Sequence, residues 1–578
     1  MDFGKIKLEH VLFFTALCAA IFVRFLNLGE APLNDSEARL ALDAWQLAQG
    51  VKGIGEFHPA PYPGTILITG LLFSLLEPTN FLARLLPALA GVALLLVPIL
   101  LRDLLGKPAA ILLAFGLAVD PGLVVASRLA SGPMLAVTFG LLAVICWQQG
   151  RPRLAGFMAA LLLLSGPQAI QGILIGAATL LLLRLVPPGS EAGSHQLTTK
   201  PSLLSPFKQA LAVLGISLAV AGTLFLQIPQ GLAAMANSFL AYFSGWTAGP
   251  TIPAGRMAAA LAIYQPVALI FALVNIGRTL VQRRIDYLDL QLIFWTGIAL
   301  LHGLLYPGRQ TLDLVWVLVP IWVLAARELD RQFEPGGVHL AAYGQAVLIV
   351  LLAGLLWFNL AGLSRSDPQI SNNLARLLLM AGVVLLAAIS TILVSMGWSW
   401  GSGKYGLVLG IAGAGSLYLI STLWGSTQVR ANSPAELWYS SQAGEQAELL
   451  AKTARDLSVW TTGFPDQLDI VLNGDSPSIQ WVLRNFKHLK TVKTLPIEEL
   501  PSILITQQTE QPPALTAAYR GQDFTWWVQP GWVNTLPENF AGWVTFREAP
   551  LNQESIILWA RSDLFPGGEV GVKAPLQP

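Results

Sequence analysis

Long apolar runs, repeated from Val11 to Trp424, constrain this chain more than any other feature. A helix needs about 20 apolar residues to cross the ~30 Å hydrocarbon core of a bilayer, and only helices and closed barrels satisfy their backbone polar groups there. Runs of that kind recur over the first three quarters of the chain. The fold class expected is therefore an α-helical polytopic membrane protein. Charged residues make up 12% of the chain against 54% hydrophobic, about half the charge fraction of a soluble domain. The net charge is +1, and no basic patch interleaved with aromatics occurs, so nucleic acid is not an expected partner. Cys18 and Cys146 both lie inside apolar runs, which implies neither a disulfide framework nor a thiolate metal site.

Charge asymmetry orients the bundle. Lys5 and Lys7 precede the first span, at 11–26, and place the N-terminus in the cytoplasm and the loop 29–78 outside. No small-residue cleavage site follows, so the first span is read as retained. The apolar run 65–76 is too short to cross and reads as juxtamembrane. Spans are then expected at 80–101, 108–126, 132–148, 154–167, 168–185, 207–228, 257–281, 288–305, 312–326, 339–361, 373–396 and 405–424. The intervening inner loops carry Arg102 and Lys107, Arg151 and Arg153, Lys200 and Lys208, Arg283 and Arg284, Arg327 and Arg331, and Lys404. About thirteen helices result, in a membrane domain over 1–425, with a Pro- and Ser-rich cytoplasmic linker at 187–206.

From 426 the composition turns polar. Helical patterns at 434–457 and 476–487 alternate with strand patterns at 468–472, 503–506 and 555–560, beside an aromatic stretch at 524–532. A small extracytoplasmic α/β domain over 426–578 is expected, ending in a loose tail from 566. The whole reads as a multi-pass protein of the plasma membrane.

The densest chemistry follows the first span. Asp35, Glu37, Arg39 and Asp43 fall within nine positions, on a stretch that starts at Asn34-Asp35-Ser36 and stops at Gly50. This reads as an amphipathic helix lying along the outer surface. Asp35 is placed to cap that helix, satisfying its free N–H groups. It is equally placed to act as a general base, with Glu37 orienting it. His58 lies between this helix and the short apolar run, where a solvated loop histidine is the plain alternative. Arg84 sits a few residues into a span, where a charge either faces a polar cavity or snorkels to the interface. Arg128 and Arg309 fall at outer ends of spans, against the positive-inside trend, and guanidinium groups there suit a phosphate. Ordinary loop charge is the alternative for each. No phosphate-cradling glycine loop, HExxH, catalytic triad or metal-ligand cluster is present in the sequence.

Arg24-Phe-Leu-Asn-Leu-Gly29 followed by Pro32-Leu-Asn-Asp35 resembles the first outer loop of the GT-C membrane glycosyltransferases, the protein O-mannosyltransferases and lipid A aminoarabinose transferases in particular. His58-Pro59, Ala83-Arg-Leu-Leu-Pro-Ala-Leu89, Ser127-Arg128 with Gly132-Pro133, and Arg309 ahead of the Pro320 span are similar to the same family. In the C-terminal domain, Gly474-Asp-Ser-Pro-Ser-Ile-Gln-Trp-Val-Leu-Arg-Asn-Phe486 resembles a segment of its prokaryotic and archaeal members. The resemblance implies transfer of a sugar from a polyprenyl-phosphate donor to a protein, lipid or glycan acceptor at the outer face, inverting the anomeric carbon. It makes Asp35 the base, with His58, Arg84, Arg128 and Arg309 toward the donor sugar and phosphate. It names no fixed cofactor and leaves a divalent cation open. The sequence departs from the family twice. Ser36 follows Asp35, so the second acid of an Asp-Glu pair comes one residue late, at Glu37, and a further acidic position is Gly132.

Two other readings compete. A non-catalytic member would bind lipid-linked sugars and assist their assembly or flipping, which the glycine at 132 favours. A transporter with a midplane site is disfavoured, because ionisable residues within spans are scarce and paired broken helices are not evident.

Overall fold

The computed structural model describes residues 7–50, 59–185, 204–250, 252–282, 286–333, 339–365, 373–431, 433–439, 442–494, 500–509, 515, 517–530, 537 and 539–567. His58, most of the linker at 187–206 and the tail beyond 567 lie outside the described residues. The chain is a multi-pass helical membrane protein with a sheet domain packed on one end of its bundle, here termed the head end.

Seven described helices are long and apolar enough to cross a membrane, or up to nine if two bent pairs each count as one span. The rest of the expected thirteen would rest on shorter apolar helices such as Pro133–Gln148 and Pro152–Leu163, and on Val315–Gln332, whose last turns are charged. Val315–Gln332 is the post of the bundle. Every residue from Val315 to Ala326 is buried, as a helix apolar all round requires. The helix Asn373–Gly397, by contrast, buries only Val383 and turns Leu378, Val384 and Leu393 outward, as a lipid-facing helix does.

Broken helices are present, which corrects the sequence reading. Lys107–Val119 and Pro121–Arg128 meet at 52°, and Ala254–Tyr264 and Pro266–Val281 meet at 94°. Each second half opens on proline, which has no N–H to give and clashes with the preceding turn. The residue before each proline is polar. Asp120 caps its half-helix by accepting from the Leu123 N–H at 2.8 Å and takes the Trp322 indole N–H at 2.6 Å. The fully buried side-chain amide of Gln265 faces that same Asp120 carboxylate.

At the head end, α1 (Leu8–Phe25), α2 (Asp35–Ala48), α3 (Pro63–Leu75) and α4 (Asn80–Ala93) follow one another. Pro434–Leu457 is not one helix. Residues 434–439 form turns that insert into the bundle, where Leu437, Trp438 and Tyr439 join the apolar core. Glu436 follows them into the interior and meets Tyr264, Arg430 and Arg547. Arg256 closes the carbonyls of Leu437 and Tyr439. The helix proper begins only at Ala447 and runs to Thr462.

Beyond it lies a six-stranded mixed sheet. Its strands are β1 (Gln442–Ala443), β2 (Asp469–Asn473), β3 (His488–Val492), β4 (Ile503–Gln507), β5 (Tyr519–Pro530) and β6 (Leu551–Arg561), in the order β1-β5-β6-β4-β2-β3. β2 is parallel to both β3 and β4, and the other pairings are antiparallel. The short helix Pro477–Leu483 crosses from β2 to β3. Along β5, Phe524, Trp526 and Val528 face the core while Trp527 faces the bundle side, as strand alternation dictates.

Candidate functional site

The start of α2 sorts its carboxylates onto opposite sides. The cap is Asn34, not Asp35: the Asn34 side chain accepts from the Glu37 N–H at 3.0 Å, and Glu37 reaches back to the Asn34 N–H at 3.2 Å, a complete capping box. Asp35 is thereby the first helical residue, and Glu37 lies roughly 200° around the helix from it.

Glu37 points into the bundle and is buried, as is Arg84. The Arg84 Nε and Nη2 donate to its two carboxylate oxygens at 2.9 and 2.8 Å. The remaining N–H groups of Arg84 donate to the carbonyls of Leu28, Ala31 and Pro32 at 2.8–3.2 Å, which uses all five guanidinium donors. Glu37 also accepts from the Ala130 N–H at 2.8 Å. One ion pair thus fastens the first head-end loop, α4 and the 130 loop together.

Asp35 points the other way, into the sheet domain. One oxygen accepts from the Ser476 hydroxyl at 3.1 Å and from the Ser478 N–H and hydroxyl at 3.0 and 2.6 Å. The other accepts from the Trp527 indole N–H at 2.8 Å. Trp526 donates to the Ser478 hydroxyl at 3.0 Å, which orients that hydroxyl toward Asp35. Trp481, bonded to Asn80, and Arg484, bonded to the Pro78 carbonyl, complete the docking.

The other sequence-selected arginines close helix ends. Arg128 donates to the carbonyls of Val23, Arg24, Leu26 and Asn27, where α1 runs out. Arg309 donates to those of Ile252, Leu304 and Tyr306, at the end of the helix Tyr287–Leu305. Arg24, which the sequence reading used only as part of a motif, closes the helix Lys107–Val119 at Leu117 and Ala118.

A cluster of polar and aromatic side chains lies beside these elements, and most of it escaped the sequence reading. Gly132, at the position of an expected acid, has no room for one: a Cβ there would sit 2.3 Å from the Ser165 carbonyl, 2.8 Å from the Gln168 side chain and 3.0 Å from the Tyr62 ring. Tyr62, Tyr242 and Tyr306 all lie within electrostatic reach of the buried Asp313 carboxylate. One Asp313 oxygen accepts from the Gln310 N–H at 2.8 Å, and the other has no partner among the described residues. The buried Thr311 hydroxyl is likewise unpartnered there, and the Gln168 side chain meets the Tyr62 hydroxyl. His302 bridges Gln171 and the Tyr242 hydroxyl at 3.2 and 2.8 Å, stacked with Tyr242 and Tyr306. The signal in the sequence was a lone acid in Thr311-Leu-Asp-Leu314, at the edge of an apolar run.

Asp43 is the second acid that the structure brings out. Its carboxylate accepts from the Ala60 N–H at 2.8 Å. Burial pushes its pKa up to about 6, against the opposing pull of that N–H and of Arg39.

A divalent cation does not fit this donor set. Asp35 and Glu37 diverge, Gly132 offers nothing, and among the described residues no group of three or more His, Cys, Asp or Glu could hold a metal ion.

No protein-family model and no curated protein matches the chain. Among solved structures it is similar to ArnT from Cupriavidus metallidurans bound to undecaprenyl phosphate, with 13% identity over 95% of this chain and 97% of that one, at a TM-score of 0.53. The apo state of the same protein aligns at 13% identity over 96% and 98%, with a TM-score of 0.51. The fold found is therefore the GT-C membrane fold that the motifs implied, over nearly the whole chain.

Glu37→Leu and Arg84→Met should each cost about 3–5 kcal/mol, because each strands a buried charge. The double variant should cost less than the sum, read from thermal unfolding of the detergent-solubilised protein. Asp43 makes a separate prediction. Below pH about 4 it is protonated folded and unfolded alike. Between about 4 and 6 the folded state keeps a proton that the unfolded state has lost, so stability falls as pH rises through that window. Asp43→Asn should remove this falling limb from a plot of melting temperature against pH.

Proposed function

We propose that this chain is a membrane glycosyltransferase that takes a sugar from a polyprenyl-phosphate donor at the extracytoplasmic face, where the head end lies, and hands it to an acceptor hydroxyl. The single observation that carries the reading is Asp313: a buried carboxylate with one unpartnered oxygen, in a cluster of polar and aromatic side chains at the head end of the bundle. The ArnT structure holding undecaprenyl phosphate supports the donor class.

In this reading the acceptor hydroxyl gives its proton to Asp313 as its oxygen attacks the anomeric carbon. The bond from that carbon to the phosphate oxygen breaks with inversion, and polyprenyl phosphate leaves with the electron pair. Arg84 is matched by Glu37 and brings little net charge. Arg128 donates to backbone carbonyls only, so its formal charge adds to the field that would attract the departing phosphate. Asp35, which the resemblance makes the base, already accepts four donors, three on one oxygen and one on the other, and is engaged with the sheet domain. We assign it instead to holding the sheet domain on the head end.

That occupancy of Asp35, with the packed glycine at 132, is the specific observation favouring a second reading: a member that binds lipid-linked sugars and assists their assembly or flipping without turnover.

Transfer from a panel of radiolabelled polyprenyl-phosphate sugars separates these. Asp313→Asn should lower kcat by about 10²–10⁴-fold while leaving donor binding in place. Full activity in that variant, with activity lost in Asp35→Asn, would return the base to Asp35. Donor binding by the unaltered protein without transfer of any sugar would establish the second reading.

A further inference from the structure

The stretch between Lys208 and Arg256 holds no Asp, Glu, Lys, Arg or His. The span expected at 207–228 ends early, at Ala221, and the chain turns at the head end into a separate helix, Gln230–Ser244. The turn is left-handed: Leu224, Phe225 and Leu226 take φ of 47°, 58° and 66°, a conformation that residues with a Cβ adopt only at a cost. It holds Phe225 and Leu226 outward, 70% and 74% exposed. The helix that follows is pinned to the ends of two spans. At its start, Gly231 packs so closely that a Cβ would stand 2.0 Å from the Gly222 carbonyl oxygen. At its end, the Tyr242 carbonyl accepts from the Tyr306 hydroxyl at 2.8 Å, just past the helix Tyr287–Leu305. Between them the Ser238 hydroxyl donates to the Pro61 carbonyl at 2.8 Å. The helix therefore lies across the head end. Its surface divides into three sectors at helical spacing. Gly231, Ala234, Ser238 and Tyr242 are buried against the protein. Phe239, Leu240 and Phe243 form an exposed apolar sector. Asn237 and Ser244, two turns apart, form an exposed polar one.

We infer that the segment from Leu224 to Ser244 is embedded in the bilayer leaflet at the head end, with its apolar sector among the acyl chains and Asn237 and Ser244 turned to water. A helix lying in that plane meets protein, lipid and water at once, and this one presents a sector to each. Two further observations make lipid the occupant. The outward side of the preceding helix, Leu204–Ala221, exposes Phe207, Leu211 and Ile216, and the chain runs from it directly into Phe225 and Leu226. The uncharged stretch also contains no group that hydrocarbon would reject. The neighbouring helix α2, which has the sheet domain beside it, carries Asp35, Glu37, Arg39 and Asp43 instead. In this setting the cost of the left-handed turn is offset, because Phe225 and Leu226 leave water. Tyr242 stands on the protein side of the same helix, within electrostatic reach of Asp313, so the cluster around that carboxylate lies close to the level of the headgroups. The embedding follows from surface chemistry and does not rest on the transferase reading.

Nitroxide labels test this in the full-length protein, held in phosphatidylcholine nanodiscs. They are attached one at a time at Phe225→Cys, Leu240→Cys and Asn237→Cys, in a background carrying Cys18→Ser and Cys146→Ala. Collision with oxygen, which concentrates in hydrocarbon, is compared with collision with a water-soluble nickel chelate. The labels at 225 and 240 should favour oxygen and sit about 5–10 Å below the headgroup boundary, while the label at 237 should favour the chelate. Preference for the chelate at all three positions puts the segment in water and overturns the inference. Labels at 225 and 240 sheltered from both reagents overturn it as well, since a partner protein or a second copy then covers the sector. A photo-crosslinking p-benzoylphenylalanine in place of Leu240 repeats the test with both cysteines present: adducts to phospholipid are expected, and adducts to protein alone overturn the inference.

Discussion

The buried pair of Glu37 and Arg84 is the fastening on which the head of this molecule depends. A charge in a membrane-adjacent interior is tolerated only when its partner and its remaining donors are all satisfied, because desolvation otherwise outweighs the attraction. Here the satisfaction is complete on the arginine: two N–H groups meet a carboxylate and three meet carbonyls of the loop between α1 and α2. That loop is irregular backbone, and without those donors its carbonyls would be buried and unpaired. The position of α2, and hence of every side chain it presents, follows from one guanidinium group.

The same logic explains why the arginines that looked like phosphate ligands have structural partners. Helix ends leave carbonyls without intrahelical partners, and inside a bilayer no water stands in for them. Arg24, Arg128 and Arg309 each reach across to the end of a different element and supply the missing donors. Position at the outer end of a span is the right place for both jobs, so a sequence cannot separate anion binding from end closure.

Much of the fold was legible because lipid imposes it. The apolar runs, the polar turn near 426 and the alternation of the aromatic strand around Trp526 follow from length and period alone. The errors have identifiable physical causes. Asp120-Pro121 and Gln265-Pro266, polar residue then proline inside an apolar run, were visible markers of broken helices and were passed over. Residues 434–439 carry a helical pattern, but Trp438 and Leu437 gain more by entering the bundle core than by extending a surface helix. At α2, a cap displaced by one residue, from Asp35 to Asn34, exchanged the faces of the two carboxylates. Asp313 was the least legible, since an isolated acid at a span edge has no motif, and the tyrosines within its electrostatic reach, Tyr62, Tyr242 and Tyr306, come from three other segments.

Asp35 and Glu37 face opposite ways because α2 starts at Asp35, two residues before Glu37. A single helical turn carries one acid into the bundle to fix the loop and another outward to fix the sheet domain, so α2 is a rigid spacer between two docking contacts. The outward contact joins a polar cluster, three Ser-derived donors and an indole N–H on the Asp35 carboxylate, to an apolar one, where the buried Trp481 stacks on Phe73 beside Leu33, Leu42 and Leu82. The sheet domain is anchored a second time through Trp438 and Trp543, which lie in the bundle core, so α2 fixes its orientation at a point where the core contacts do not reach.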